Sequence, residues 1–271
     1  MVQAIEIITF WKGREAMTCL PENPSGKKLG LVTDLDICVG CHACAVQCKE
    51  WNTNGISGPL SDTDPYGADP SGVWFNRVHT YEIEDQEDGT SRTVHFPKSC
   101  LHCDDAPCVT VCPTGASYKR AEDGIVLVNP DTCIGCKLCS WACPYGAREY
   151  DQAEGVMKKC TMCVDRIYNE NLSEEARIPV CVSTCPAGAR HFGDLGDPAT
   201  DISKLVAERN GFDLMPGMGT APVNKYLPPR SGAARTKALG APRMLSIDQP
   251  PKKKAGRLTS WIDQVLSGGK V

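Results

Sequence analysis

The sequence predicts an α+β fold, in which two tandem, internally duplicated units carry a long insertion loop and end in extended N- and C-terminal arms. Three observations predict it. Sixteen of the seventeen cysteines fall into four quartets, and only Cys19 is left over. Three quartets close on one phrase, Cys112-Pro113-Thr114-Gly115-Ala116, Cys143 to Ala147 and Cys185-Pro186-Ala187-Gly188-Ala189, which marks an internal repeat. Between the quartets lie short β-rich segments joined by turn residues, with few stretches of helical period.

Taken in order, residues 1–32 are a leader with Pro21, Pro24, Gly26 and Gly30 marking turns. Leu31 to Ile37 reads as a first strand entering the Cys38 loop, and Ala43 to Asn52 as a short helix carrying Cys44 and Cys48 on one side. Residues 53–72 are rich in Gly, Pro, Ser and Asp and form the insertion loop, either ordered on a partner or solvated. Val73 to Glu84 alternates as a strand, Asp85 to Ser91 is an acidic turn, and Arg92 to Phe96 returns to deliver Cys100. Ala116 to Lys119 and Ile125 to Val128 make a hairpin around Asp123-Gly124. Arg148 to Tyr150 and Val156 to Lys158 repeat it around Glu154-Gly155. Arg190 to Phe192 is a last strand. Asp201 to Asn210 is a helix with Asp201 at its start, Ile202, Leu205 and Val206 on one face and Gly211 at its end. Residues 211–230 read as extended. The segment 231–271 contains Lys252-Lys253-Lys254 and an amphipathic stretch, Leu258 to Leu266, with Trp261. It is either disordered or an arm for a subunit or an anionic lipid surface.

The chemistry lies in the cysteine spacing. Cys133, Cys136, Cys139 and Cys143 have the C-x2-C-x2-C-x3-C-P spacing of a bacterial ferredoxin, in which the fourth cysteine ligates the neighbouring 4Fe–4S cluster. Gly135 lets the ligand loop curl tightly, and Pro144 favours a change of direction. Cys100, Cys103, Cys108 and Cys112 make C-x2-C-x4-C-x3-C-P. Cys38, Cys41, Cys44 and Cys48 make C-x2-C-x2-C-x3-C, with Lys49 where the other quartets have proline. Cys160, Cys163, Cys181 and Cys185 make C-x2-C, a 17-residue gap, then C-x3-C-P. Four cluster sites in two tandem ferredoxin-like units of the bacterial two-cluster type follow. A disulfide framework suits the clustered C-x-x-C spacings poorly, and no export signal accompanies them. Zinc knuckles would leave the third cysteine and the C-x3-C-P ending without a role. Little apolar core is required, because metal ligation supplies folding free energy.

The formal charge of −4 and the absence of a basic patch argue against nucleic acid. No apolar run approaches the roughly 20 residues of a membrane span. Ile5 to Trp11 is apolar but interrupted by Glu6, and it lacks a basic leader, a cleavage site and a twin-arginine pair. The chain is therefore expected in the cytoplasm, although a folded iron–sulfur subunit can also be exported on a signal-bearing partner. No triad, phosphate loop or nucleotide fingerprint points to a substrate. His42, His102, Lys137 and Trp141 lie in or beside ligand loops, either as packing and surface residues or as groups that raise a cluster's potential.

From Cys38 to about Arg230, the order and spacing of the quartets resemble the four-cluster electron-transfer subunits of molybdopterin oxidoreductase complexes, the dimethyl sulfoxide reductase family. The phrases C-L-H-C-D-D-A-P-C at Cys100, A-C-P-Y-G-A at Ala142 and H-F-G-D-L at His191 carry the resemblance. It implies four 4Fe–4S clusters, held by Cys38, Cys41, Cys44 and Cys185; by Cys160, Cys163, Cys181 and Cys48; by Cys100, Cys103, Cys108 and Cys143; and by Cys133, Cys136, Cys139 and Cys112. On that pairing, 33–53 with 160–196 form one unit and 96–159 the other. Residues 54–95 hold the insertion and strands, 197–230 the closing helix and extended segment, and 231–271 the arm. Cys19 should ligate nothing.

The resemblance also implies a non-catalytic relay with no small-molecule substrate of its own. Its partners would be a molybdopterin-containing catalytic subunit and an integral membrane quinone-binding anchor, at the inner face of the cytoplasmic membrane. The stretch Asp64 to Asn76 and the missing export signal look most like the sulfite dehydrogenase branch. The same role in a polysulfide, dimethyl sulfoxide or tetrathionate reductase is the alternative. A free ferredoxin-like shuttle and a zinc-dependent structural or nucleic-acid-binding module are the rivals of other classes. The insertion and tail count against the shuttle.

Overall fold

The structure, a computed structural model, describes residues 20–53, 73–84 and 91–230, and the backbone of 245–246. Cys19, the insertion residues 54–72, the acidic turn residues 85–90 and the amphipathic stretch of the tail lie outside the described residues. Two compact units divide the chain: residues 1–79 with 95–235, and residues 80–94 with 236–271.

The first unit is built around strand β1 (Leu29–Asp34), buried along its length. It pairs antiparallel with β8 (Arg190–Asp194), in register Thr33 with Arg190, and parallel with β9 (Lys225–Leu227). Strand β1 runs two residues earlier than Leu31 and stops at Asp34, short of the expected Ile37. The reason is local: the Asp34 carboxylate accepts the Asp36 N–H at 2.9 Å and pairs with Arg209 at 2.7 Å, which turns the chain out of the sheet. Strand β9 lies inside the Gly/Pro-rich run read as merely extended. Three residues carry too little pattern to announce a strand, and the exposed edge of β1 supplies the partner.

Strands β2 (Asn76–Glu84) and β3 (Ser91–Ser99) pair with each other, β3 running on past the expected Phe96. Two hairpins follow, β4 (Ser117–Lys119) with β5 (Val126–Val128), and β6 (Glu149–Asp151) with β7 (Val156–Lys158). Among the described residues, helix α1 (Ala43–Asn52) is the one long ligand helix. Single turns α2 (Pro107–Thr110), α3 (Leu138–Trp141), α4 (Val164–Ile167) and α5 (Val180–Ser183) serve the other quartets. Helix α6 (Asp201–Glu208) is capped by Thr200, not Asp201: the Thr200 hydroxyl accepts the Ser203 N–H at 3.3 Å. Its Ile202, Leu205 and Val206 pack on Val32 and Leu227.

The apolar core is split into small clusters, and cysteines are part of them. Cys44 and Cys181 lie with Leu31, Ile125 and Met162, while Cys48, Cys100 and Cys160 lie with Val73 and Phe75. In the second unit, β10 (Leu245–Ser246) pairs antiparallel with the outer end of β2, at Glu82 and Tyr81.

Candidate metal centre

Each quartet opens with C-x-x-C, and the residue before its second cysteine has a positive φ: Gly40 at 66°, His102 at 47°, Gly135 at 63° and Met162 at 58°. This left-handed kink turns successive backbone N–H groups toward one concave side, an arrangement that receives anions. Gly135 is required there, because a Cβ would run into the Gly155 carbonyl oxygen and the Tyr150 ring. His102 and Met162 adopt the same kink at a steric cost, and both are buried. The third cysteine of each quartet, Cys44, Cys108, Cys139 or Cys181, rides on the helical turn that follows. The fourth comes four residues later.

These elements gather the sixteen cysteines into four groups. Strand β1 leads into the Cys38 loop and its partner β8 leads out of the Cys185 loop, so pairing them brings the two loops together. Cys38, Cys41, Cys44 and Cys185 line one cavity, with Arg190 in its wall. Cys112, Cys133, Cys136 and Cys139 line another, with Arg148 in its wall. Cys48 stands among Cys160, Cys181 and Cys163: burial raises its thiol well above the ordinary value, and those three raise it further. Asn52 reaches the sulfurs of Cys48 and Cys163 at 3.6 and 3.8 Å. Cys103, pushed up to about 12 by burial, has Cys100, Cys108 and Cys143 beside it. Every group thus mixes three cysteines of one quartet with the fourth of another.

The donor set suits an iron–sulfur cluster better than a single ion. Among the described residues, no three His, Cys, Asp or Glu side chains converge on one ion; the thiols stand around spaces instead. Backbone N–H groups already aim at sulfur: Ser117 to Cys112 and Ala189 to Cys185 at 3.3 Å, and Met157 to Cys133 and Met162 to Cys160 at 3.4 Å. At Cys112 burial acts to raise the thiol, but the Ser117 N–H and the Thr114 hydroxyl outweigh it, and the thiol falls below its ordinary value. At Cys160 and Cys163 burial dominates, pushing the thiols up to about 12 and about 11. Metal binding to such thiols releases their protons and reverses that balance.

The groups follow one another in a line. Arg190, in the wall of the Cys38 cavity, lies against Cys181 and Cys44, linking the first two groups. Cys160 faces Cys100 across the cluster holding Val73 and Phe75, linking the second and third. Buried Lys159 sits at that junction, donating to the Val126 carbonyl and, at 2.6 Å, to the Cys160 carbonyl. Arg148 donates to Cys108 at 3.0 Å while lining the Cys139 cavity, linking the third and fourth.

Sequence reasoning missed Arg148, Arg190 and Lys159. A signal existed for the arginines: the repeated phrase runs one residue further, to Arg148 and Arg190, with Ser117 in the remaining copy. Of the residues singled out beside the loops, His102 is fully buried and its Nδ1 accepts the Val126 N–H at 3.1 Å. The Lys137 ammonium lies over the Tyr150 ring at 4.2 Å, and Trp141 is 79% exposed. His42 begins α1 in a left-handed conformation. Lys49, the departure from proline, is buried, donates to the Val73 carbonyl at 2.9 Å and lies over the Trp74 ring.

The sequence matches the 4Fe–4S dicluster domain family over residues 91–195, and again over residues 37–116. It is 56% identical over 231 residues to the B subunit of the sulfite dehydrogenase of Allochromatium vinosum, covering 84% of this chain and 92% of that one. It is 36% identical over 206 residues to the B component of the polysulfide reductase of Wolinella succinogenes, covering 76% of this chain and 97% of that one. With the B subunit of the tetrathionate reductase of Salmonella typhimurium, identity is 34% over 212 residues and 76% of each chain.

Proposed function

The protein is a member of the iron–sulfur electron-transfer subunits of the dimethyl sulfoxide reductase family, and from that premise we propose which thiols hold each of its clusters and which reaction it serves. It carries four 4Fe–4S clusters and is an electron-relaying, non-catalytic subunit of an oxidoreductase complex. Cys38, Cys41, Cys44 and Cys185 hold cluster I; Cys160, Cys163, Cys181 and Cys48 hold cluster II. Cys100, Cys103, Cys108 and Cys143 hold cluster III; Cys133, Cys136, Cys139 and Cys112 hold cluster IV. The observation that carries this reading is the grouping of sixteen thiols into four sets of four in a row.

One-electron reduction and oxidation is the chemistry such clusters supply when bound. The chain's own residues fix and insulate them. Thiols set the positions, N–H donors such as Ser117 and Ala189 favour the thiolate form, and Val73 and Phe75 keep water from the central junction. Full cysteine ligation leaves no open metal position for a substrate, unlike catalytic metal sites.

The reaction served is sulfite oxidation, supported by the high identity to the B subunit of a sulfite dehydrogenase over nearly its whole length. A molybdopterin-containing catalytic subunit lies at one end of the relay. An integral membrane quinone-binding anchor, a separate chain, lies at the other, at the inner face of the cytoplasmic membrane. No helix among the described residues is long and apolar enough to cross a membrane. The insertion, 53–72, and the arm, 231–271, are the contacts to those partners. The test is a pair of assays on anaerobically purified protein. The isolated holo-protein should accept electrons from dithionite and turn over no sulfite, whereas the assembled complex oxidises sulfite with quinone reduction. Sulfite turnover by the isolated protein, or a complex active only on polysulfide or tetrathionate, overturns the respective part.

A further inference from the structure

We propose that Arg190 and Arg148 are shared counter-charges, one inserted between the two clusters of each couple, and that each raises the reduction potentials of both clusters it separates. This rests on the ligand grouping proposed above. Both arginines are almost completely buried, at 4% and 1% exposure. Among the described residues neither has a carboxylate partner: the Arg190 Nη2 donates to the Asn76 amide oxygen at 3.1 Å, and the Arg148 Nη2 to the Ser117 hydroxyl at 2.6 Å and the Cys108 sulfur at 3.0 Å. In each, Nε and Nη1 are buried without a partner among those residues. A buried guanidinium left half unsatisfied and unpaired is a costly arrangement, retained only where anionic acceptors complete it.

The surroundings name those acceptors. Arg148 lies against Cys108 of group III and Cys139 of group IV. Arg190 lies against Cys181 of group II and Cys44 of group I. The two positions correspond in the repeat, each five residues after the closing cysteine of its phrase, so the duplication that made two couples also placed one cation in each. A guanidinium stays protonated in any such setting, so the charge is permanent. Adding an electron to either neighbour increases the negative charge facing it. The cation therefore stabilises the reduced state of both, in a low-dielectric site where Coulomb effects are strong. Donors facing two sides also spread hydrogen bonds over both sets of sulfur, which acts in the same direction.

The test uses the assembled complex, with iron content measured first and the four cluster signals followed by potentiometric titration with electron paramagnetic resonance. Signals are assigned beforehand with single-ligand variants at Cys108, Cys139, Cys44 and Cys181. Arg148→Gln should shift the reduction equilibria of clusters III and IV toward the oxidised state by about tenfold or more, 59 mV for a one-electron couple, and leave I and II in place. Arg190→Gln should do the converse, and Arg148→Lys and Arg190→Lys should recover most of each shift. Full iron with no shift, or a shift in one cluster only, overturns the proposal. A paired shift of signals that the ligand variants assign to different couples overturns the ligand grouping instead. Should the glutamine variants lose iron, retention of iron and of native potentials by the lysine variants still supports a charge requirement. Iron loss in both series makes the arginines structural struts and overturns it.

Discussion

Helix α1 offers the sharpest test of the ligand pairing. Cys44 and Cys48 lie one turn apart on it, separated by about 6 Å along the axis, so side-chain direction alone predicts that they serve one site. The grouping assigns them to different ones: Cys44 lines the cavity with Cys185, and Cys48 stands among Cys160, Cys163 and Cys181. Alanine at either position removes one of four ligands from one site. The iron count should fall by about one if a three-iron remnant survives, and by about four if the cluster is lost. Cys44→Ala should remove or convert one signal in the dithionite-reduced spectrum and Cys48→Ala a different one. The functional cost should also differ in kind. Cluster II lies between I and III in the line, so Cys48→Ala interrupts the relay internally and electron flux between the partner subunits should collapse. Iron and sulfide analysis of the anaerobic complex, the reduced spectrum and quinone-linked turnover are the measurements. Loss of the same signal in both variants refutes the pairing.

Two further outcomes follow from single residues. Gly135→Ala should loosen cluster IV, because the new Cβ adds roughly 1–2 kcal/mol of left-handed strain and meets the Gly155 carbonyl oxygen; Gly146→Ala, at a similar φ of 61° but facing open space, should incur the strain alone. Iron release to a chelator over time compares them, and equal rates would remove the steric argument. Burial pushes the Glu149 carboxyl from 4.5 up to about 7, against Arg77, the Trp74 N–H and Lys49. The folded state thus holds a proton that the unfolded chain releases. That stability is complete below about pH 4.5 and is lost as pH rises through about 7. Glu149→Gln should flatten this part of the stability profile between about pH 4.5 and 7, measured by anaerobic thermal melting; parallel profiles would contradict it.

Much of the site was legible because ligand spacing is a covalent property of the chain. C-x2-C-x2-C-x3-C-P marks its cysteines without any knowledge of the fold, and Ala43–Asn52 could be placed as a helix from the cysteines it had to present. The grouping across quartets was not legible in this way. It depends on the pairing of β1 with β8, two strands far apart in sequence, and local pattern carries no information on such partners. For the same reason β9 escaped notice, since its identity comes from the edge of β1 and not from its three residues. The end of β1 depended on Asp34 finding Arg209, a contact that no window around Asp34 contains. Arg148 and Arg190 were visible as repeated letters, but their meaning lies in what surrounds each guanidinium, which only three dimensions reveal.

The interleaving of the quartets also has a consequence for biogenesis. In the proposed pairing, clusters III and IV draw all their ligands from Cys100 to Cys143, whereas clusters I and II are complete only with residues from Cys160 to Cys185. During synthesis the couple of clusters III and IV can therefore accept iron and sulfide while the chain beyond Cys143 is still emerging, and the couple of I and II cannot. Cys38, Cys41, Cys44 and Cys48 must wait as reduced thiols until strand β8 arrives to close on β1. Oxygen or thiol-oxidising stress during translation would strike these four waiting cysteines first, so a damaged chain would emerge with clusters III and IV loaded and the I–II half of its relay missing.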